Sequence, residues 1–325
     1  MKAVVINGTC KADELRVSQI EKPQVRPGWI LIKVHAAGLN HSEVLLRTVE
    51  ADNDYINTPI VPGIECVGEV AASVEPDFSE GQRVVALMGG MGRSFNGSYA
   101  EYALVPRRQV FHIASQLDWV SLAAVPETYF TAYGSLTQGL LLTADDRLLV
   151  RGATSTVGKA AVQLAKAMGA TVVATSRKEA AFDGLRRLGV DYVLQDNGQL
   201  EGVFTGSRDL SRPNKVLELI GPRTLADSMR LMDKPGYVCQ TGHLGGVYAL
   251  ANFDPINDVP KGVFLTGFFS NYPTQAVIDD LFSLIESRHL QPLHGPVFTL
   301  DEIAEAHRLL EEGTAGGKII LKISD

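Results

Sequence analysis

A strand, a loop, a helix and a second strand follow one another near the middle of the chain and constrain its fold more than any other feature. Apolar residues 148–150 run into the loop 151–158, which carries small and hydroxyl-bearing residues. A helical pattern covers 159–168, and 170–176 is typical of a buried strand. The segment is therefore a β-α-β unit of about 30 residues. Because the loop presents backbone N–H groups where a helix begins, the unit predicts dinucleotide binding.

The loop departs from the glycine pattern that usually binds a dinucleotide, GxGxxG. A frame that ends at Gly158 places Ala153 and Ser155 where two glycines are expected. Ser155 sets a side chain beside the pyrophosphate, although its hydroxyl is able to donate to a phosphate oxygen. A purely structural turn stays open as an alternative, because many strand-to-helix turns carry small residues. The candidate cofactor contacts in the loop are Ala153, Thr154, Ser155, Thr156 and Val157.

The end of the second strand points to a particular cofactor. An NAD-binding unit usually has Asp or Glu there, bound to the ribose 2′-hydroxyl. This chain has Ser176, Arg177 and Lys178, which could bind a 2′-phosphate and would not repel it. The sequence therefore predicts NADP(H). The alternative is a solvated charge pair, although cations are disfavoured where a helix begins without an anion.

Composition and charge exclude several classes of protein. The 325 residues suffice for two domains, and the net charge of −7 without a basic stripe argues against nucleic acid as a partner. No apolar run approaches the roughly 20 residues that span a bilayer, and the first residues lack the core of a signal peptide. The three cysteines are widely spaced, so neither a disulfide framework nor a zinc motif is indicated. A cytoplasmic protein without a membrane partner is expected.

The pattern of predicted elements changes twice along the chain. Residues 1–127 show strand-like runs separated by turn residues. From residue 128 strands alternate with helices, which is typical of a parallel sheet with crossover helices. The strands predicted there are 147–150, 170–175, 192–195, 215–219, 236–240 and 263–266. The segment 267–325 predicts two helices and a last strand, which is able to rejoin the first domain.

Five segments carry a family resemblance: 37–43 (AGLNHSE), 62–70 (PGIECVGEV), 97–102 (GSYAEY), 123–133 (AAVPETYFTAY) and 152–158 (GATSTVG). In this order they resemble the motifs of the zinc-free quinone oxidoreductase branch of the medium-chain dehydrogenase/reductase superfamily. The resemblance implies an α/β protein with a GroES-like, β-rich substrate domain at 1–127 and 267–325. A Rossmann domain with a doubly wound parallel sheet would be inserted at 128–266. Homodimerisation is also implied.

The resemblance bears on metal dependence. The catalytic zinc ligands of related alcohol dehydrogenases fall at Asn40, Ile64 and Glu127 of this chain. Asn is a poor zinc ligand and Ile is none, whereas a catalytic zinc needs three protein ligands and an open position. The sequence therefore predicts no metal.

The resemblance implies hydride transfer from NADPH to a quinone or an α,β-unsaturated carbonyl. The developing oxyanion needs a donor, and the candidate catalytic residues are Asn40 and Tyr55; both could instead orient nicotinamide or be structural. The branch often has a tyrosine near the ribose phosphate of the cofactor, whereas this chain has Gln, Asp and Asn at 195–197 and lacks that contact. The further candidate cofactor contacts are Asn40, Thr131, Ile220, Thr241, Gly242, Leu244, Phe268 and Phe269.

Two other functions stay open at this point. The first is an enoyl-thioester reductase, which is less favoured because the chain shows no obvious basic patch for a carrier phosphopantetheine. The second is a non-catalytic NADPH-binding sensor or crystallin-like protein. A polar nicotinamide pocket with Asn40 and Thr131 argues mildly against the latter.

Overall fold

The computed structural model describes residues 1–206 and 210–324. The chain divides into two compact units. Unit 1 comprises Met1–Phe130 and the segment that begins at Asn271, and unit 2 comprises Thr131–Ser270. The corresponding boundaries expected from the sequence follow residues 127 and 266. Within 1–206 and 210–324, no helix is long and apolar enough to cross a membrane.

Strands and helices alternate in unit 2, whereas unit 1 is mainly β. The strands are β1 (Lys2–Val4), β2 (Val17–Gln19), β3 (Trp29–Gly38), β4 (Glu65–Ala72), β5 (Arg83–Leu87), β6 (Tyr102–Pro106), β7 (Val110–His112), β8 (Arg147–Arg151), β9 (Thr171–Ser176), β10 (Tyr192–Gln195), β11 (Lys215–Glu218), β12 (Gly236–Gln240), β13 (Val263–Gly267), β14 (His294–Thr299) and β15 (Lys318–Lys322). The helices are α1 (His41–Leu45), α2 (Trp119–Ala123), α3 (Pro126–Gly134), α4 (Thr156–Ala167), α5 (Phe182–Arg187), α6 (Glu201–Gly206), α7 (Pro222–Arg230), α8 (Pro255–Asp258), α9 (Gln275–Ser287) and α10 (Ile303–Glu312).

Unit 2 contains a six-stranded sheet in the order β10-β9-β8-β11-β12-β13. Every neighbouring pair is parallel. Apolar side chains of the central strands, such as Leu149, Val216 and Val238, are fully buried, as expected for a parallel sheet covered on both faces. This order is that of the doubly wound dinucleotide-binding fold, and all six predicted strands are present.

Unit 1 is built around a sheet in the order β14-β15-β3-β4-β5-β7, in which β6 also pairs with β3. The predicted last strand does rejoin the first domain, because β15 pairs antiparallel with β3. The N–H of Leu39 donates to the carbonyl of Ile319 at 2.9 Å. This pairing places Lys318, the first residue of β15, beside the end of β3.

A chain of buried polar contacts joins Arg47, His307 and Tyr99 in unit 1. Arg47 lies in a short π-helical turn, Leu46–Glu50, and its guanidinium contacts Glu311 and, at 3.4 Å, Nδ1 of His307. Nε2 of His307 lies 3.2 Å from the hydroxyl of Tyr99. Burial, reinforced by the Arg47 cation, lowers the pKa of His307 to about 3. The imidazole is therefore neutral in the folded chain at neutral pH.

We expect this histidine to make the stability of the protein fall in mild acid. The ordinary pKa of His, 6.5, applies in the unfolded chain, so the unfolded state binds the proton first as the pH falls. The stabilisation is complete above pH 6.5 and is lost as the pH falls toward 3. The free energy of unfolding should drop by about 2 kcal/mol between pH 7 and pH 5.

Urea unfolding at several pH values measures this dependence. His307→Gln should flatten it, whereas His41→Gln, which changes an exposed histidine, should leave it intact. An equal pH dependence in wild type and His307→Gln would contradict the assignment.

Candidate functional site

All the predicted cofactor contacts of unit 2 except Thr131 follow strands at one edge of the parallel sheet. The loop 152–158 follows β8, Ser176–Lys178 follow β9, and Ile220 follows β11. Thr241, Gly242 and Leu244 follow β12, and Phe268 and Phe269 follow β13. All five strands are parallel, so their carboxyl ends lie at the same edge, where open α/β sheets bind dinucleotides.

Two glycines of the loop after β8 are sterically required. Gly152 has φ +88°, which favours glycine, and a side chain there would meet Ile220 and Leu244 at 3.2 Å. A Cβ on Gly158 would meet the carbonyl oxygen of Gly152 at 2.5 Å. The last glycine of the pattern thus lets α4 pack closely on the strand, as in dinucleotide-binding loops.

Ser155 is the residue that caps the N-terminus of α4. Its hydroxyl accepts from the N–H of Gly158 at 3.0 Å and donates to the carbonyl of Gly152 at 2.9 Å. The single hydroxyl proton is thereby committed within the loop, so the expectation that it donates to a phosphate is not supported. The N–H groups of Thr156 and Val157 belong to the first turn of α4, which has no intrahelical acceptors for them. These N–H groups are better candidates for binding an anion.

The basic pair after β9 is exposed. The hydroxyl of Ser176 is buried and bonds the N–H and carbonyl of Lys178 at 3.1 and 3.0 Å. It therefore shapes the turn, and a direct bond from this hydroxyl to a phosphate is not supported. Arg177 and Lys178 both extend into solvent, as an anion site requires.

The other predicted contacts differ in exposure. Leu244 and Phe269 are 59% and 70% exposed and give this edge an apolar surface. Thr241 lies 2.9 Å from the hydroxyl of Ser135. Ala153 is fully buried, and its contact with the cofactor stays a prediction.

Behind the loop lies a buried ionic network that the sequence reasoning missed. Arg151 is fully buried and donates to both carboxylate oxygens of Asp196 at 2.8 and 2.9 Å. It also donates to Asp227 at 2.7 Å and to Ser228 at 3.0 Å. Although burial raises the pKa of Asp196, the bonds and charge of Arg151 outweigh it and the pKa is lowered. An arginine at the end of an apolar strand is the signal that could have revealed this network.

Glu218 fixes the turn that follows β11. One of its oxygens accepts from the N–H groups of Ile220 and Gly221 at 2.8 and 3.1 Å, and the other accepts from Ser228 at 2.5 Å. Burial raises the pKa of this carboxyl. The bond from its backbone N–H to Glu218 therefore fixes the position of the candidate contact Ile220.

In unit 1, Asn40 lies in a charged cluster with two residues that are distant in sequence. The ammonium of Lys318 donates to Oδ1 of Asn40 at 2.5 Å and to Glu65 at 2.6 Å. The amide nitrogen of Asn40 donates to the same oxygen of Glu65 at 2.8 Å and contacts the carbonyl of Gly38 at 3.4 Å. Lys318 is 2% exposed and Glu65 is fully buried.

A second carboxylate holds the backbone around this cluster. Glu43 is fully buried and accepts from the N–H of Asn40 at 2.8 Å and of Ile64 at 3.0 Å. Burial raises the pKa of Glu43. This residue replaces the aspartate of the family motif and fixes the start of α1, so that Asn40 has a defined position.

The structure does not join Tyr55 to Asn40. Tyr55 is 64% exposed, and its hydroxyl accepts from Asn53 at 3.4 Å. Within the described part of the chain, no hydrogen bond connects it to Asn40.

Thr131 is half-buried in α3, where its carbonyl accepts from Ser135 at 2.7 Å. The catalytic role of Tyr55 and the cofactor contact of Thr131 stay predictions.

The residues at the zinc-ligand positions do not fit a catalytic zinc. Oδ1 of Asn40 faces the ammonium of Lys318, and Ile64 is a buried apolar residue. Both oxygens of the neighbouring Glu65 have donors, since the N–H of Glu127 donates to the second one at 2.7 Å. Across residues 1–206 and 210–324, no three His, Cys, Asp or Glu side chains come together in a way that could hold a metal.

Comparisons with known proteins agree with this architecture. Residues 26–115 match the model of the alcohol dehydrogenase GroES-like domain, and residues 168–321 match that of the zinc-binding dehydrogenase. Quinone oxidoreductase of Homo sapiens is 30% identical over an alignment of 330 positions, gaps included, and the alignment covers 94% of this chain and 92% of that protein.

Two solved structures have the same fold along the whole chain. AibC, 24% identical, superposes with a TM-score of 0.89 and covers 100% of this chain and 96% of its own. The yhdH oxidoreductase of Salmonella enterica in complex with NADP is 25% identical, with a TM-score of 0.81 and coverage of 100% and 98%. This chain belongs to the medium-chain dehydrogenase/reductase superfamily and is an oxidoreductase of that type with a nicotinamide cofactor.

Proposed function

We propose that the protein reduces quinones or α,β-unsaturated carbonyls with NADPH and without zinc. The observation that carries the proposal is the ammonium of Lys318 bound to Asn40 and Glu65. Asn40 is one of the positions that ligate the catalytic metal in the zinc enzymes of the superfamily, and a protein cation contacts it here. Without a Lewis acid, alcohol oxidation is harder to catalyse, whereas reduction of an activated acceptor is easier.

The residues of each unit have separate tasks in this proposal. Bound NADPH supplies the hydride. The first turn of α4 holds the pyrophosphate through backbone N–H groups, and Arg177 and Lys178 hold the 2′-phosphate. The amide nitrogen of Asn40 donates to the oxygen that gains charge on the acceptor, and solvent delivers the final proton.

Relatives support both parts of the proposal. Several proteins similar to this chain are named quinone oxidoreductases, including those of Homo sapiens and Sus scrofa. The similar yhdH oxidoreductase was solved in complex with NADP.

The proposal also includes a homodimer in the cytoplasm, formed through the outer strand β13, where Phe264 is 50% exposed. Neither nucleic acid nor membrane is proposed as a partner.

Arg177 should be required for the preference for NADPH over NADH. Loss of one charge-assisted contact costs about 1.5–3 kcal/mol, so Arg177→Ala should weaken NADPH binding about tenfold or more. NADH, which lacks the 2′-phosphate, should bind wild type and variant alike. Fluorescence titration of both cofactors measures this.

Arg186 provides the matched control for this prediction, because it is an exposed arginine of the same unit that pairs with Asp183. Arg186→Ala should leave both affinities unchanged. If wild type binds NADPH and NADH equally, the NADPH preference is wrong.

A substrate screen tests the function itself. Oxidation of NADPH is followed by its loss of absorbance with quinones, enals, enones and enoyl thioesters. The proposal expects turnover with quinones or enones. Turnover with enoyl thioesters alone would reassign the substrate class, and tight NADPH binding without any turnover would favour a non-catalytic role.

A further inference from the structure

We propose that Lys318 is a positioning residue that orients the amide of Asn40 for the reaction. This inference rests on the proposed function, in which Asn40 donates to the acceptor oxygen. Lys318 itself is 2% exposed and Glu65 is fully buried, whereas Asn40 is partly exposed. Of these three side chains, Asn40 is thus the one placed to reach a substrate, and Lys318 acts through it.

The cluster leaves one orientation for the amide. An ammonium is a donor without acceptor capacity, and an ionised carboxylate accepts without donating. Lys318 therefore requires the oxygen of Asn40 on its side, and Glu65 requires the nitrogen. A rotation of the amide by half a turn would set nitrogen against ammonium and oxygen against carboxylate. The buried ion pair thus fixes which end of Asn40 donates.

The same contacts leave one amide hydrogen weakly held. One hydrogen of the Asn40 nitrogen bonds Glu65 at 2.8 Å, whereas the contact with the carbonyl of Gly38 is 3.4 Å. The hydrogen on that side is available for an acceptor oxygen at little cost. The ammonium on Oδ1 also polarises the amide and strengthens its N–H groups as donors.

The packing shows that the cluster has a fixed place. A Cβ on Gly38 would meet Glu65 Oε1 at 2.8 Å and the carbonyl oxygen of Ala123 at 2.9 Å, and it would collide with the side chain of Lys318. The absence of a side chain at Gly38 lets Lys318 and Glu65 reach Asn40. This position explains why a glycine ends β3.

The test replaces both members of the ion pair. Lys318→Met alone would strand a buried carboxylate and destabilise the fold. The double variant Lys318→Met/Glu65→Gln is neutral at both positions, and the carboxamide that replaces the Glu65 carboxylate can bond either end of the Asn40 amide. Turnover number should fall about tenfold or more, while the Kd for NADPH stays within about twofold. Lys322→Met, which changes an exposed lysine of the same strand, should leave both quantities unchanged.

A mutant cycle separates positioning from general destabilisation. In an Asn40→Ala background, the Lys318→Met/Glu65→Gln change should cause no further loss of turnover, because its effect passes through Asn40. Full additivity of the two losses, or an unchanged turnover number in the folded double variant, would overturn the proposal.

A spectroscopic readout keeps this inference apart from the proposed function. In protein labelled with ¹⁵N-asparagine, the side-chain signal missing from Asn40→Ala identifies Asn40. The amide hydrogen of Asn40 that bonds to Glu65 should resonate downfield and exchange slowly with solvent. Both properties should be lost in Lys318→Met/Glu65→Gln. An inactive wild type would sink the proposed function, whereas an unchanged Asn40 signal in the double variant would sink the orientation by Lys318.

Discussion

Arg151→Met is expected to lower the free energy of unfolding by about 3–5 kcal/mol, the usual cost of removing one partner from a buried ion pair. Arg151 is fully buried and bonds Asp196 and Asp227, which are 9% and 6% exposed. The two carboxylates would be left without their shared cation in a region that excludes water. The methionine side chain would fill much of the space, so the loss is chiefly electrostatic.

Urea unfolding followed by circular dichroism measures this loss. Hydrogen exchange should locate the loss in three elements: β8, which contains Arg151, β10, which directly precedes Asp196, and α7, which contains Asp227. The control is Arg186→Met, which breaks an exposed ion pair with Asp183 and should cost less than about 1 kcal/mol. Equal stabilities of the two variants would show that the buried network contributes little.

Asn40→Ala is expected to reduce turnover about 100-fold with NADPH binding preserved, because removal of one donor to a developing oxyanion typically has an effect of this size. Asn40 lies in unit 1, whereas the proposed contacts for the pyrophosphate and the 2′-phosphate lie in unit 2. The affinity for NADPH should therefore change little.

Steady-state kinetics with a quinone and a cofactor titration check both halves of this result. Tyr55→Phe is the matched comparison, since it removes the hydroxyl of the other candidate donor. A large loss of turnover in Tyr55→Phe together with normal turnover in Asn40→Ala would assign the donor to Tyr55 and remove Asn40 from the mechanism.

The sequence predicted the sheet of unit 2 well because its information is local. Apolar runs such as Leu148–Val150 are buried on both faces, and glycines mark the turns that follow. Local rules could also have assigned Ser155, since serine is a preferred residue at the start of a helix. The search for a glycine pattern drew attention to phosphate binding instead.

The cluster of unit 1 could not be predicted in the same way. Lys318 and Glu65 are 253 residues apart, and they meet because β15 pairs with β3 beside β4. A lysine directly before the apolar run Ile319–Leu321 was the available signal. The sequence identified Asn40 through a family position, but its amide contacts depend on tertiary structure.

One measurement tests the central claim most directly: the rate of NADPH oxidation with a quinone acceptor before and after treatment with a metal chelator. Because the ammonium of Lys318 occupies the oxygen of Asn40 that a metal would need, we expect turnover with NADPH and the same rate after chelation. Loss of the rate on chelation and its recovery on addition of zinc would contradict the account.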